Sequence, residues 1–215
     1  MKIRHQVFML FVYSIVSSCI HQPAGSKEKE ANKLSLDSAS ERYVERLQDL
    51  EKASMGLNYD SLGEMIAVIT FELKTSNIKD YEDGKIPWVR IDSPQLELDS
   101  LIGKDEVVLE ASTVTIVLDY PLTFPHYFTI AADKGFTRAE LLKAISDEYQ
   151  RIYREEESTA TTKTVPLEHR KVYNRNETNG KYGIWGHDIG DLALDDIYVL
   201  KGINGEIYLI LELVS

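Results

Sequence analysis

Cysteine is nearly missing from this chain: its 215 residues include one, Cys19. No intramolecular disulfide can form, so stability has to come from a hydrophobic core, which a chain of this length is able to bury. Short motifs that mark common chemistries are missing too. There is no glycine-rich phosphate loop ending in Lys-Ser or Lys-Thr, no His-Glu-x-x-His, no Gly-x-Ser-x-Gly and no Asp-x-Asp-x-Asp-Gly calcium loop. No cofactor and no metal are expected. Positive charge is scarce, with 24 Lys and Arg against 35 Asp and Glu, a net charge of −11. Binding to nucleic acid needs clustered Lys and Arg, and an acidic body is repelled by anionic lipid, so neither partner suits this chain. The apolar run from Val7 to Val16 is about half the ~20 residues that a membrane-spanning helix needs.

What is present begins at the N-terminus. Lys2 and Arg4 precede that apolar run, and Ser17, Ser18 and Cys19 follow it. A basic start, a short apolar centre and small residues before a cleavage point make a secretory signal. Val16-Ser17-Ser18-Cys19 resembles a bacterial lipobox, the segment in which small residues precede a cysteine that becomes the lipidated N-terminus. The resemblance covers residues 1–19 alone. It implies a bacterial lipoprotein with signal peptide 1–18, lipid on Cys19, and attachment of the chain to the cell envelope. It also accounts for an otherwise odd unpaired cysteine in an exported chain. Cleavage would remove Lys2 and Arg4 and so lower the net charge by two, to −13. Ile20 follows the cysteine where an inner-membrane lipoprotein often has aspartate, so the outer membrane is the expected destination.

Residues 19–37 are polar, contain Pro23 and Gly25 and lack aromatics, the composition of a flexible tether. The rest, 38–215, reads as one domain. Ser38 and Glu41 stand at capping-box spacing before a stripe of Tyr43, Val44, Leu47 and Leu50, with Gly56 as the stop. Strand-like segments follow at Met65–Lys74, Ile86–Asp92, Val107–Tyr120 and Tyr127–Ala132. Thr137 and Glu140 form a second capping box, with Phe136 placed as a hydrophobic staple on Leu141. Behind them Leu141, Leu142, Ile145, Tyr149 and Ile152 repeat at helical spacing, which predicts a helix over about 137–157 ending in exposed Glu155, Glu156 and Glu157. Ile197–Lys201 and Glu206–Val214 read as strands joined through Asn204-Gly205, a hairpin signal. Apolar residues on both faces of the last strand place it centrally. With no βαβ alternation, the fold class is α+β: a mostly antiparallel sheet with the long helix and an N-terminal helix packed on it.

Function is less legible. Ser158–Lys181 is long and irregular, and locally basic through Arg170, Lys171, Arg175 and Lys181. It leads into Tyr182-Gly183-Ile184-Trp185-Gly186-His187-Asp188-Ile189-Gly190-Asp191. Loops on a rigid sheet are where binding groups collect. The expected ligand-binding residues are therefore Tyr182, Trp185, Arg170, Lys171 and Arg175, facing a protein or a small anionic ligand. His187 with Asp188 and Asp191 is the candidate catalytic group for an envelope hydrolase, with His126 and His169 as further candidates to join it. The plainer reading makes Asp188 a helix N-cap and His187 a partner to nearby backbone. Asp195 and Asp196 read as solvated turn residues. A lipid-anchored binding or interaction module fits best. A hydrolase, or an acidic protein that blocks a basic toxin or enzyme, are the alternatives.

Overall fold

A computed structural model describes residues 37–55 and 59–215. The signal segment, Cys19, nearly all of the tether and Gly56 lie outside the described residues. In chain order the elements are α1 (Ser38–Met55), β1 (Glu64–Thr70), β2 (Leu73–Lys74), β3 (Lys85–Ile86), β4 (Val89–Arg90), β5 (Val107–Leu109), β6 (Thr113–Leu118), β7 (His126–Ala131), β8 (Phe136–Thr137), α2 (Arg138–Thr159), β9 (Ala193–Lys201) and β10 (Ile207–Val214). This is an α+β fold built on a mostly antiparallel sheet. Among the described residues no helix is long and apolar enough to cross a membrane.

The main sheet has the order β1-β9-β10-β6-β7, and β4 pairs with the start of β9 on the side that β1 occupies further along. β10 is central, as its two-sided apolar pattern predicts: it runs antiparallel to β9 and parallel to β6. That parallel pair is the departure from an otherwise antiparallel sheet. The β6–β7 hairpin forms in unbroken register from Thr113 opposite Ala131 to Leu118 opposite His126.

Helix α2 covers one face. Thr137 caps it as the sequence predicts: its hydroxyl accepts from the Glu140 N–H, and its own N–H donates to the Glu140 carboxylate at 2.8 Å. The predicted stripe is the buried one, with Leu141, Leu142, Ile145 and Ile152 fully buried and Tyr149 at 1% exposure. They share one core with Ile69, Ile116, Leu118, Val199 and Leu209 from the sheet. Each buried side chain of this size contributes about 1.5–3 kcal/mol. Two polar groups fix the helix azimuth: Ser146 Oγ donates to the Ile91 carbonyl at 2.6 Å, and Tyr149 Oη to the Tyr120 carbonyl at 2.6 Å.

Several local expectations need correction, among them the runs 65–74 and 86–92, which each divide between the main sheet and the small β2–β3 pair. Asp37, not Ser38, caps α1, because the Ser40 N–H donates to the Asp37 carboxylate at 2.8 Å. The run 107–120 is not one strand. Residues 107–109 pair with β8, and the chain breaks at 110–112 before β6 joins the main sheet. Asp195 and Asp196 are not turn residues but part of β9, with Asp196 paired to Thr70 and Glu212. The inward anchors Ile197 and Val199 hold that register, and a bulge opposite Glu212/Leu213 absorbs the local misfit. Glu156 is not exposed but fully buried.

Candidate functional site

The irregular segment after α2 is held by side chains that replace the missing regular hydrogen bonds. The Glu156 carboxylate sits at the helix end and accepts backbone N–H groups from Gly180 and Tyr182 at 2.8 Å and from Gly183 at 3.2 Å. Burial pushes this carboxyl up, but hydrogen bonds from Thr178, Tyr182, Gly180 and Gly183 outweigh it and leave it below the usual carboxylate range. Gly180 is required by the approach itself: a Cβ there would lie 2.6 Å from a Glu156 oxygen. Beside it Glu155 accepts from Lys181 at 2.7 Å and from Tyr182 Oη at 2.6 Å, and these two groups lower its carboxyl to about 2. Two of the three acids at the negative helix end, Glu155 and Glu156, are thus engaged by the returning chain.

Asparagines pin the outer part. Asn179 Oδ1 accepts the N–H groups of Thr161 and Thr162 at 3.0 and 2.7 Å, and Asn176 Oδ1 accepts that of Val165 at 2.7 Å. The glycine- and aromatic-rich run then folds against the turn after β6. Thr123 donates to the Gly183 carbonyl and Phe124 to that of Tyr182, both at 3.0 Å, and Arg175 bridges Gly186. Gly183 has φ +64, and a Cβ there would meet Thr123 at 2.9 Å.

These contacts bring most of the expected site residues together, but inside the protein. Trp185 is 2% exposed and Tyr182 is 3% exposed. Trp185 stacks edge-on against Tyr120, with ring centroids 5.2 Å apart. Arg170 and Arg175 do not point at solvent either. Arg170 grips Asp188 with two nitrogens at 2.7 and 3.1 Å, and Arg175 reaches the same carboxylate at 3.4 Å. Burial acts to raise the Asp188 carboxyl, but these two guanidiniums hold it below its ordinary value. Lys171 is exposed and pairs with Asp37 at the start of α1. The positive charge expected for an anionic ligand is therefore largely matched from within.

His187 has a different neighbour from the one expected. Its Nε2 lies 2.8 Å from Tyr120 Oη, which also meets Ser215 Oγ at 3.0 Å and Glu51 Oε2 at 3.3 Å. Tyr153 Oη donates to the His187 carbonyl at 2.9 Å. Burial lowers the His187 imidazole below its usual value, against a smaller opposing pull from Asp191 and Asp188. Burial raises both Glu51 and the Tyr120 phenol. Asp188 and Asp191 form a local cap instead: the Asp188 N–H donates to Asp191 Oδ2 at 2.8 Å at the start of the 3-10 turn Ile189–Asp191. His126 pairs with Glu148 on α2, and His169 is exposed in its own 3-10 turn. Among the described residues no three His, Cys, Asp or Glu side chains converge to hold a metal ion. Sequence reasoning missed Glu51, Tyr120, Tyr153 and Ser215, which lie far apart in the chain and carry no shared motif.

Helix α1 closes this region. Tyr43 Oη donates to the Arg175 carbonyl, and Arg46 Nη2 pairs with Glu177 Oε1 at 2.6 Å. What remains in solvent is the outer rim of the loop, where Leu167 is 51% and Tyr173 72% exposed. Open depressions elsewhere, beside Gly63 and Lys201 and beside Ser112 and Asp133, include none of these residues. Compared with family models, curated proteins and solved structures, the chain matches none.

Proposed function

We propose that this chain is a lipid-anchored protein of the bacterial envelope, delivered to the outer membrane, whose folded part is a binding module. The anchoring part rests on the signal-like run ending at Cys19, the sole cysteine. One observation carries the binding part. An irregular loop is fixed by hydrogen bonds to Glu156, Asn176, Asn179 and Asp188, and it presents Leu167, Lys171 and Tyr173 outward. Side chains held ready on a rigid loop lose little entropy on binding, which is what a recognition surface needs. Arg170, Arg175, Tyr182 and Trp185 serve this module by holding the rim in place.

Two measurements test the reading. Cys19→Ala blocks incorporation of labelled fatty acid and releases the protein from the membrane fraction; equal labelling of variant and wild type removes the anchor. Affinity capture from the native envelope with the tagged protein should recover a partner that the double variant Leu167→Ala, Tyr173→Ala loses at an unchanged unfolding midpoint. Capture that persists in the variant moves the binding surface elsewhere. The hydrolase reading has weaker support, since His187 faces a tyrosine hydroxyl rather than a carboxylate, and Asp188 is engaged by two arginines.

A further inference from the structure

The sheet ends on two strands, and they are finished differently. β1 begins with Glu64 and has a bulge between Met65 and Ala67, both of which discourage pairing with another chain. β7 reads His126-Tyr127-Phe128-Thr129-Ile130-Ala131, with no proline, glycine, lysine or carboxylate, and its register with β6 has no shift. It carries none of the usual devices that protect an edge.

Its free hydrogen-bonding groups can be identified. The Ala132 N–H donates to the Ser112 carbonyl, so 112 and 132 are a hydrogen-bonded pair. Alternation along the ladder assigns the same role to 114/130, 116/128 and 118/126. Tyr127, Thr129 and Ala131 then turn their N–H and C=O groups away from β6. The Thr115 and Thr129 hydroxyls lie 3.3 Å apart, as expected at a closer, non-hydrogen-bonded position. No group among the described residues bonds to this outer row. Evenly spaced alternating donors and acceptors are satisfied by one kind of partner, an extended backbone.

We propose that this partner is β7 of a second copy of the chain, antiparallel, with Thr129 opposite its own counterpart on a two-fold axis. The sequence of the strand is complementary to itself in that register. On one face Tyr127, 52% exposed, lies over Ala131 of the second copy, a large side chain against a small one. On the other face Phe128 meets Ile130. No charged side chain meets its like within the strand pair. An isologous contact of this kind closes at two copies and makes one sheet continuous through both. The acidic bodies repel over longer range, so pairing should strengthen as salt screens them.

Light scattering and sedimentation on the full chain in mild nonionic detergent test this. A dimer is expected, tighter at 0.5 M than at 0.05 M salt, values about threefold above and below the physiological level. Thr129→Lys places two ammonium groups face to face and should weaken the dimer about tenfold or more at an unchanged unfolding midpoint. Under mild oxidant Thr129→Cys should give a disulfide-linked dimer, since Cα atoms about 5.5 Å apart lie within disulfide reach. Thr115→Cys, one strand inward, and the wild-type chain with Cys19 alone should give none. A monomer at every salt concentration, a dimer indifferent to Thr129→Lys, or equal cross-linking through Thr115→Cys overturns the proposal. So does a monomer that instead takes up an added extended peptide along β7.

Discussion

Replacing Glu156 with glutamine changes almost no volume and removes one charge, and it should be among the most damaging isosteric changes in the protein. The wild-type carboxylate is fully buried and accepts from Gly180 through Oε1, and from Tyr182 and Gly183 through Oε2. A glutamine amide has one oxygen. Its better orientation keeps Tyr182 and Gly183 and turns an NH2 group toward the Gly180 N–H. One buried donor is then left unpaired, which costs about 1–3 kcal/mol. The two surviving bonds fall from charged to neutral acceptors, roughly halving their strength and adding about 1 kcal/mol. The expected loss is about 2–4 kcal/mol, or on the order of 10 °C in Tm for a chain of this size. Urea unfolding of the purified protein measures it, with exposed Glu157→Gln as a control expected within about 0.5 kcal/mol of wild type.

The same pair of proteins carries a pH signature. Hydrogen bonds outweigh burial and hold the Glu156 carboxyl below its ordinary 4.5, so the folded state takes up this proton less readily than the unfolded chain. The stabilisation is complete above pH 4.5 and is lost as pH falls below 4.5 through the folded value. Glutamine has nothing to titrate there. The gap between wild type and Glu156→Gln should therefore narrow as the solution is acidified. An unchanged midpoint at neutral pH, or a gap that stays constant into acid, would refute the claim that this carboxylate organises the loop.

Other substitutions probe other parts of the fold. Thr137→Ala breaks the capping box and should cost about 1 kcal/mol in the same urea assay. Ile145→Ala removes a fully buried side chain and should cost about 2–5 kcal/mol; a harmless outcome would mean that α2 packs on another face. Arg170→Ala leaves the partly exposed Asp188 with the longer Arg175 contact and should destabilise by about 1–3 kcal/mol at neutral pH, measured by thermal unfolding. Asp119→Asn should stabilise by about 1–3 kcal/mol at pH 7, because burial raises this carboxyl to about 6 and the folded state disfavours its charge above that pH; equal stabilities at pH 7 would contradict this.

Much of the scaffold could be read in advance because its signals are local. Thr137, Glu140 and the stripe from Leu141 to Ile152 fix where α2 starts and which face it buries, and it runs two residues beyond Glu157. Alternation in residues 113–118 gives β6, and Asn204-Gly205 gives the turn between β9 and β10. Alternation specifies the faces of a strand but not its neighbour, so the parallel β10–β6 pairing could not be foreseen. Asp195 and Asp196 illustrate a related limit. Their intrinsic preference is against strands, and the buried residues around them override it. The candidate site was legible in composition and misleading in exposure. The three glycines around Trp185 correctly mark a tight, irregular path. They do not say that the ring is buried, because that depends on α1, Tyr120 and the segment after α2 arriving from distant parts of the chain.

By sequence alone, Glu155, Glu156 and Glu157 stand at the unfavourable pole of a helix dipole without a reason. The reason lies about 25 residues further on, where the backbone of 180–183 turns its N–H groups toward Glu156 and Lys181 with Tyr182 meets Glu155. An irregular loop lacks the ladder that satisfies backbone donors in a sheet, and a buried carboxylate supplies acceptors in its place. The helix end gives up some dipole energy, and the loop gains a fixed path. Because that path carries Arg170 and Arg175 to Asp188 and leaves Leu167 and Tyr173 in solvent, the position of the exposed rim depends on acids that face the returning chain at the end of α2.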